Sequence, residues 1–466
     1  MYYPGDWKYN WHISHFGDPN VYGYKELCRD WKAEDWDPDE LIALYHSAGA
    51  RYFMAMGNHH DNFDCWNSPY QEWNCKNVGP MKDIVGGWAK ACQKYGLRLG
   101  VSFHASHTWT WMEPSQRYDG NLTKAEGVGK WWEGLDPQEL YAQRHTHSSG
   151  WDNSGTIHSQ WNWGGGASLP SQYYKQKFQN RVLQCVNEYH PSIIYFDDTV
   201  LPFWGCDEQI GLNILQHYYN NSIKQDGTGK AEVVVTGKVL QEMHKKAMMW
   251  DVERGIPDRC QELPWQTCTC IGDWHYERGT YEHGEYKSAD HVIRMLVDIV
   301  SKNGNLLLSI PVRGSGVIDE KEHAIVMGIK AWMDINSESI YGTRPWKVYG
   351  EGPLFESANP LNAQGFNEGI NYSANDVRYV ERHDTVYATI MRWPSQSKFT
   401  FESLGKASPY YSGKVKGVRL LGHGKIPFKQ RSDGLEINLP DNHPNEIAPV
   451  MEITFDPKSH RSLSLL

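Results

Sequence analysis

The sequence has no apolar run approaching the roughly 18 residues that a helix needs to cross a bilayer, so no membrane-spanning helix is expected. It has no excess of basic residues: 46 Lys and Arg stand against 56 Asp and Glu, a formal net charge of −10. That balance argues against a broad electrostatic footprint, and neither nucleic acid nor a membrane is expected as a partner. There is no CxxC pair, and the nine cysteines are odd in number and lie mostly within apparent strands and helices, which argues against a disulfide scaffold. Cys268 and Cys270 form a lone CxC without the second paired cluster that such metal sites need, and are read as core thiols. Internal repeats and low-complexity tails are missing. The opening Met1-Tyr2-Tyr3-Pro4 lacks the charged-then-apolar progression of a signal segment. A secreted or periplasmic protein whose signal segment has been removed is expected over a cytoplasmic one.

What is present is length and aromatic weight. At 466 residues the chain exceeds one ordinary core, so a large domain with a smaller companion is expected. It carries 21 Trp, 27 Tyr and 21 His, many in stretches rich in Gly, Ser and Asn. Such a mixture suits sugars, whose C–H faces stack on aromatic rings and whose hydroxyls need oriented donors and acceptors. The same rings would equally fill a large core.

From Trp11 to about Asn336 short apolar runs alternate with amphipathic helices, the rhythm of a parallel α/β fold. Asp37-Pro38 opens a helix that ends at Gly49, and the strand Arg51 to Met56 follows. Asp83 opens a second helix closed by Gly96, before the strand Leu97 to His104. A helix from Tyr173 to His190 stops at Pro191 and gives way to Ser192-Ile193-Ile194-Tyr195-Phe196-Asp197. Further strands are expected at Glu232 to Val235, Met248 to Val252 and Asn305 to Ile310, with a helix from Asp319 to Asn336. The run from about Ala105 to Pro170, with Gly164-Gly165-Gly166, reads as a cleft-forming insertion. After Tyr341 short alternating segments between turn residues read as an antiparallel β-sandwich. The expectation is an α/β protein: a (β/α)8-like barrel of TIM type over residues 1–341 and a C-terminal β-sandwich domain over residues 342–466.

Barrels of this kind carry their chemistry where strands run out at the carboxyl face. The loaded ends are His59-His60-Asp61, His104 in Phe103-His104-Ala105-Ser106-His107, Asp197-Asp198, and Glu253-Arg254. Paired carboxylates are what glycoside hydrolysis requires, one attacking the anomeric centre and one protonating the departing oxygen. Taken singly, Asp197 could equally cap a helix and Glu253 pair with Arg254. His59-His60-Asp61 invites a metal, but adjacent residues on an extended strand point to opposite sides, so no metal and no cofactor is expected. Asp119-Gly120-Asn121-Leu122-Thr123 lacks the oxygen spacing of a calcium loop and reads as a turn.

With these residues assembled, the chain resembles the α-L-fucosidases of glycoside hydrolase family 29 from about Trp11 to Trp346. The resemblance rests on Ala48-Gly49-Ala50-Arg51-Tyr52, His59-His60-Asp61-Asn62-Phe63 with Trp66 and Ser68, and Ser192 to Asp197. It continues in Gly304-Asn305-Leu306-Leu307-Leu308-Ser309-Ile310-Pro311 and Ile340-Tyr341-Gly342-Thr343-Arg344-Pro345-Trp346. It implies a retaining exo-glycosidase acting on a fucosylated glycan or fucose-containing polysaccharide, with Asp197 as nucleophile and Glu253 as acid/base. Glu262 is the alternative acid, and the acid that many relatives carry after the Trp is Gln266 here. By the same resemblance His59 and His60 hold sugar hydroxyls, and His104 replaces a strand-end tyrosine. His15 in Ser14-His15-Phe16-Gly17 stands for the histidine of the family's HWG strand, and Tyr195, Trp66 and Arg254 join the substrate site. Two departures stand out: Asp198 replaces a glycine, with Arg254 a possible donor to it, and no EWY segment is recognisable between Tyr22 and Trp31. The other readings are an α-galactosidase, distinguished by how the site treats C6, and a carbohydrate-binding protein without catalysis. Retention requires the two carboxyls to stand about 5 to 5.5 Å apart.

Overall fold

The computed structural model describes residues 5–119, 122–142, 169–198, 200–227, 229–355, 365–410, 413–444 and 446–456. Seven strands form one parallel sheet in strict chain order: β1 (Tyr52–Asn58), β2 (Arg98–Phe103), β3 (Ile193–Phe196), β4 (Val234–Gly237), β5 (Met249–Glu253), β6 (Trp265–Cys270) and β7 (Gly304–Ser309). The α/β barrel-type sheet expected from the sequence is therefore present, with seven strands among the described residues. No helix among them is long and apolar enough to cross a membrane.

The chain divides into two compact units, the first comprising Met1–His46, Ala50–Met249 and Arg313–Val317, the second Ser47–Gly49, Trp250–Val312 and Ile318–Leu466. In the first unit the helix Ile84–Tyr95 forms where the sequence places it. The Asp83 carboxylate accepts from Gly86 N at 2.9 Å, Gly96 ends the helix at φ 72°, and Ile84, Val85, Trp88, Ala91 and Cys92 are buried. Ser171 likewise caps Gln172–Tyr189, whose buried face includes Phe178, Arg181, Val182 and Cys185. Of the expected insertion, Gly164 to Gly166 lie outside the described residues. Its described part holds the short helices Thr108–Trp111, Glu113–Asp119 and Pro137–Leu140. Asp119 is occupied by Lys25 at 2.5 Å and by the Tyr141 hydroxyl.

One expectation fails here. The Ser14-His15-Phe16 segment, placed on a strand by resemblance, belongs to the helix Trp7–Phe16, opened by Asp6 accepting from Lys8 N. Tyr24–Asp30 is helical too.

In the second unit, Asp319 and Glu322 form a reciprocal capping box at the start of the helix Glu320–Asn336. The later strands are β8 (Arg344–Glu351), β9 (Val377–Arg382), β10 (Thr385–Ile390), β11 (Lys398–Phe401), β12 (Val415–Leu420), β13 (Gly424–Lys425), β14 (Phe428–Gln430), β15 (Leu435–Asn438) and β16 (Val450–Phe455). They make a six-stranded sheet, β13-β12-β16-β10-β9-β8, and a three-stranded sheet, β11-β15-β14, antiparallel throughout. Alternate residues of both sheets meet in one core: Val418, Leu420, Met451 and Ile453 from the larger, Phe401, Leu435 and Ile437 from the smaller. Their neighbours face solvent in ion pairs such as Arg419 with Glu452 and Arg431 with Glu436. All nine cysteines are free thiols, seven of them buried. Cys268 lies against Asp251 at 2.9 Å and Cys270 against the Gly272 carbonyl at 3.2 Å, which is the core role expected of the CxC.

Candidate active site

Strand register determines which side chains meet. Asn58 pairs with Phe103, Phe103 with Phe196, and Phe196 with Gly237, so four adjacent strands end at one level of the sheet. The residues that follow those ends are His59, His104, Asp197 and Lys238. They form a continuous chain of contacts: His59 Nε2 lies 2.9 Å from His104 Nδ1, that nitrogen lies 3.1 Å from Asp197 Oδ2, and Asp197 Oδ1 is ion-paired with the Lys238 ammonium. The Tyr195 hydroxyl also donates to Asp197 Oδ1 at 3.0 Å.

The expectation that His59 and His60 point apart is not met. Between Met56 and Asn58 the β1–β2 ladder slips, Gly57 being the extra residue, and bulges of this kind re-aim the side chains after them. Glycine is required there: a Cβ on Gly57 would meet Val101 Cγ1 at 2.8 Å and the Ser102 carbonyl at 2.9 Å. The strand then ends at Asn58, so alternation no longer governs the next two residues. His59 and His60 both approach His104, with ring centroids at 4.3 and 3.8 Å, and Trp111 stacks on His60 at 4.3 Å.

The loop behind these histidines is anchored from below. Arg181, fully buried on the helix Gln172–Tyr189, is ion-paired with Asp64 and donates to Asn62 Oδ1 at 2.6 Å. Asn62 adopts φ 62° and donates to the carbonyls of Glu139 and Leu140, while Asn58 Nδ2 donates to Asp64 Oδ1 at 2.9 Å. Asparagine tolerates the left-handed conformation better than most residues, and its side chain here ties the turn to a segment 77 residues further along the chain.

The two adjacent aspartates behave oppositely. Burial pushes the Asp197 carboxyl up, but the Lys238 charge and hydrogen bond, aided by His59 and Tyr195, outweigh it and hold the group below the usual range. Its side chain remains 25% exposed, beside His104 and Lys238 at 9% each, so the ionised oxygens have an open flank. Asp198 is buried, and that burial, with the Asp197 charge, raises its pKa to about 7 against the opposing pull of Ser106 and Lys238. Its Oδ1 accepts from Ser106 Oγ at 2.6 Å and lies 3.4 Å from His107 Nε2. Arg254, read from the sequence as a donor to it, bonds Glu368 at 2.9 Å within the second unit. His60 is buried, which with the neighbouring imidazoles holds it well below the normal histidine range.

The remaining sequence candidates have their own surroundings. Trp66 is fully buried and donates to Gln184 Oε1 at 2.7 Å, a packing position. His15 is exposed on its helix, stacked on Trp11 with centroids 4.1 Å apart. In the second unit Glu253 closes β5 half-buried, whereas Glu262 is exposed and precedes β6. Gln266 is buried and donates to Asp251 at 2.7 Å. Glu368, not singled out in the sequence, is held by Arg254, by Lys287 at 2.8 Å and by Thr269 at 2.5 Å. Burial raises its pKa but these partners overcome that, so it stays an ionised anchor.

Sequence reasoning also missed Lys238 and Trp111, and it included Ser106 and His107 in a loaded strand end without giving them a role. The strand-end rule would have found Lys238 had β4 been carried to Gly237 instead of stopping at Val235.

A family model described as alpha-L-fucosidase matches residues 1–338, and one described as alpha-L-fucosidase C-terminal domain matches residues 371–454. The human tissue alpha-L-fucosidase is 25% identical over 437 residues, covering 92% of this chain and 76% of the relative. The alpha-L-fucosidase of Dictyostelium discoideum is 22% identical, covering 92% and 78%. Among solved structures, the Thermotoga maritima alpha-fucosidase in complex with fucose aligns at a TM-score of 0.66 and 21% identity, covering 96% of this chain and 86% of that one. Alpha-L-fucosidase isoenzyme 1 from Paenibacillus thiaminolyticus aligns at 0.62 and 19%, covering 94% and 90%.

Proposed function

The chain belongs to the α-L-fucosidase family, and on that premise we propose that it releases terminal α-L-fucosyl residues from oligosaccharides, glycoconjugates or polysaccharides with retention of configuration, Asp197 being the nucleophile. The observation that carries the reading is the state of Asp197: ionised by Lys238, oriented by Tyr195 and His104, and open on one flank. A carboxylate so placed at a strand end is the group that attacks an anomeric carbon.

In the first step an Asp197 oxygen bonds to the anomeric carbon as the glycosidic C–O bond breaks, and Glu253 gives its proton to the departing oxygen. In the second, Glu253 takes a proton from water, the hydroxide attacks the same carbon, and the ester bond to Asp197 breaks. Net charge and protons return to their starting positions, and two inversions retain the configuration. Glu253 is preferred over Glu262 because it ends β5 at the carboxyl side, where barrel chemistry resides, whereas Glu262 precedes β6 and is solvent-exposed. His59, His60 and His104 supply ring nitrogens for the sugar hydroxyls, and Trp111 offers an aromatic face beside them. In this reading residues 1–341 carry the chemistry and residues 342–466 are a non-catalytic companion.

The test is release of nitrophenol from nitrophenyl α-L-fucoside by the wild-type chain and by Asp197→Ala, with the α-galactoside alongside. Fucoside turnover that drops by at least about 10³-fold in the variant is expected. Turnover surviving in Asp197→Ala would remove Asp197 from the role, and preference for the galactoside would change the sugar.

A further inference from the structure

The bulge at Gly57 and the early end of β1 bring together three imidazoles that a regular strand would have kept apart. One ring nitrogen from each of His59, His60 and His104 lies within 4.8 Å of the other two. His60 and His104 are buried, and His59 half-buried. His59 Nε2 lies 2.9 Å from His104 Nδ1, and that nitrogen lies 3.1 Å from Asp197 Oδ2. A tetrahedral ion with bonds of about 2.0 to 2.1 Å to imidazole and carboxylate holds its donors about 3.3 Å apart, so the three imidazoles, spread over up to 4.8 Å, and Asp197, which adjoins them through His104, would close on an ion by side-chain rotation of up to about 1.5 Å.

We propose that this cluster is also a binding site for a borderline-soft divalent cation, zinc foremost, with His59, His60 and His104 as nitrogen ligands and Asp197 as the oxygen ligand, and that ion and sugar exclude one another. Imidazoles with one carboxylate select zinc, copper or nickel over magnesium and calcium, which require oxygen shells. Lys238 on the other carboxylate oxygen opposes a second cation, which makes the site weaker than a closed structural zinc centre. The ion is therefore an inhibitor and not a cofactor. Bound to Asp197 Oδ2 it occupies an oxygen that the nucleophile needs, and it engages the imidazole lone pairs that would otherwise face the sugar. Ion binding stands independently of the hydrolytic reading; the mutual exclusion rests on it.

The experiment is calorimetric titration of zinc chloride into the chelator-treated full chain, wild-type, His60→Asn and His104→Asn, with the visible spectrum of the cobalt(II)-loaded wild type. One ion per chain is expected. Affinity should fall at least about tenfold in each variant, with unchanged circular dichroism. The cobalt spectrum should show intense tetrahedral d–d bands without a thiolate charge-transfer band, and L-fucose should weaken zinc binding. No binding by the wild type, a thiolate band pointing to the cysteines, or full affinity in both variants overturns the site. If the variants do not fold, the wild-type spectrum and the fucose competition decide it, and zinc affinity indifferent to fucose overturns the exclusion. Zinc binding in a chain that turns over no fucoside would sink the hydrolytic reading alone; turnover without zinc binding would sink only this one.

Discussion

Lys238 follows β4 at the level where Asp197 follows β3, and its ammonium is ion-paired with Asp197 Oδ1. Without that charge a largely enclosed carboxyl would hold its proton to higher pH, and a protonated carboxyl does not attack. Lys238→Met is expected to move the acidic limb of the kcat/KM profile up by about 1 to 3 pH units and to lower turnover at neutral pH, while Lys238→Arg keeps the limb near its original place. The profile on nitrophenyl α-L-fucoside measures this. An acidic limb that stays put in Lys238→Met would mean that the ion pair does not set the protonation of the nucleophile.

Asp198 gives a stability signature instead. In the folded chain it keeps its proton up to pH about 7, whereas an unfolded aspartate loses it near pH 4. Between those values the folded state binds more protons than the unfolded one, so this group's contribution makes stability fall as pH rises through the window and level off above it. Asp198→Asn cannot titrate. Its urea midpoint relative to wild type should therefore improve from pH about 4.5 to about 7.5, corresponding to a few kcal/mol at most. Parallel pH profiles for the two proteins would show that Asp198 does not titrate in that range.

The fold was legible where burial leaves a simple trace. Strands read as unbroken apolar runs, as in Ile193-Ile194-Tyr195-Phe196, buried from Ile194 on, and the half-buried Leu306-Leu307-Leu308, and helix ends carry their own signals in Asp83, Gly96 and Asp319. Asp197 and His104 were legible because they follow such runs directly. His60 was not, because its direction depends on a one-residue slip between β1 and β2, which is a property of two strands and not of one segment. Lys238 was missed through an error of two residues in the end of β4, and the Arg254–Glu368 pair joins positions 114 residues apart. The helix Trp7–Phe16 was hidden because its family counterpart was read as a strand, although Asp6 and Gly17 mark its ends.

Arg181 is expected to govern stability and site geometry together. It is fully buried against Asp64, and the same guanidinium fixes Asn62, the turn directly after the paired histidines. Arg181→Met leaves the Asp64 carboxylate buried without its cation and should cost about 3 to 5 kcal/mol in urea unfolding. The double variant Arg181→Met/Asp64→Leu should recover part of the loss, because no uncompensated charge remains. A loss below about 1 kcal/mol in the single variant would show that water or a rearranged donor replaces the arginine.

Glu253 and Glu262 are separable by the chemistry of the second step. If Glu253 is the base that activates water, Glu253→Gln slows breakdown of the glycosyl-enzyme by about 10² to 10⁴-fold, even with a nitrophenyl leaving group that needs little protonation on departure. Azide is a nucleophile that requires no base, so adding it should restore turnover and yield a fucosyl azide of the substrate's own anomeric configuration, since both displacements still occur on the carbon held by Asp197. Glu262→Gln should remain near wild-type rate and ignore azide. Product analysis by nuclear magnetic resonance distinguishes the anomers. Azide rescue confined to Glu262→Gln would transfer the role to that residue, and an azide product of inverted configuration from either variant would mean that Asp197 forms no covalent bond to the sugar.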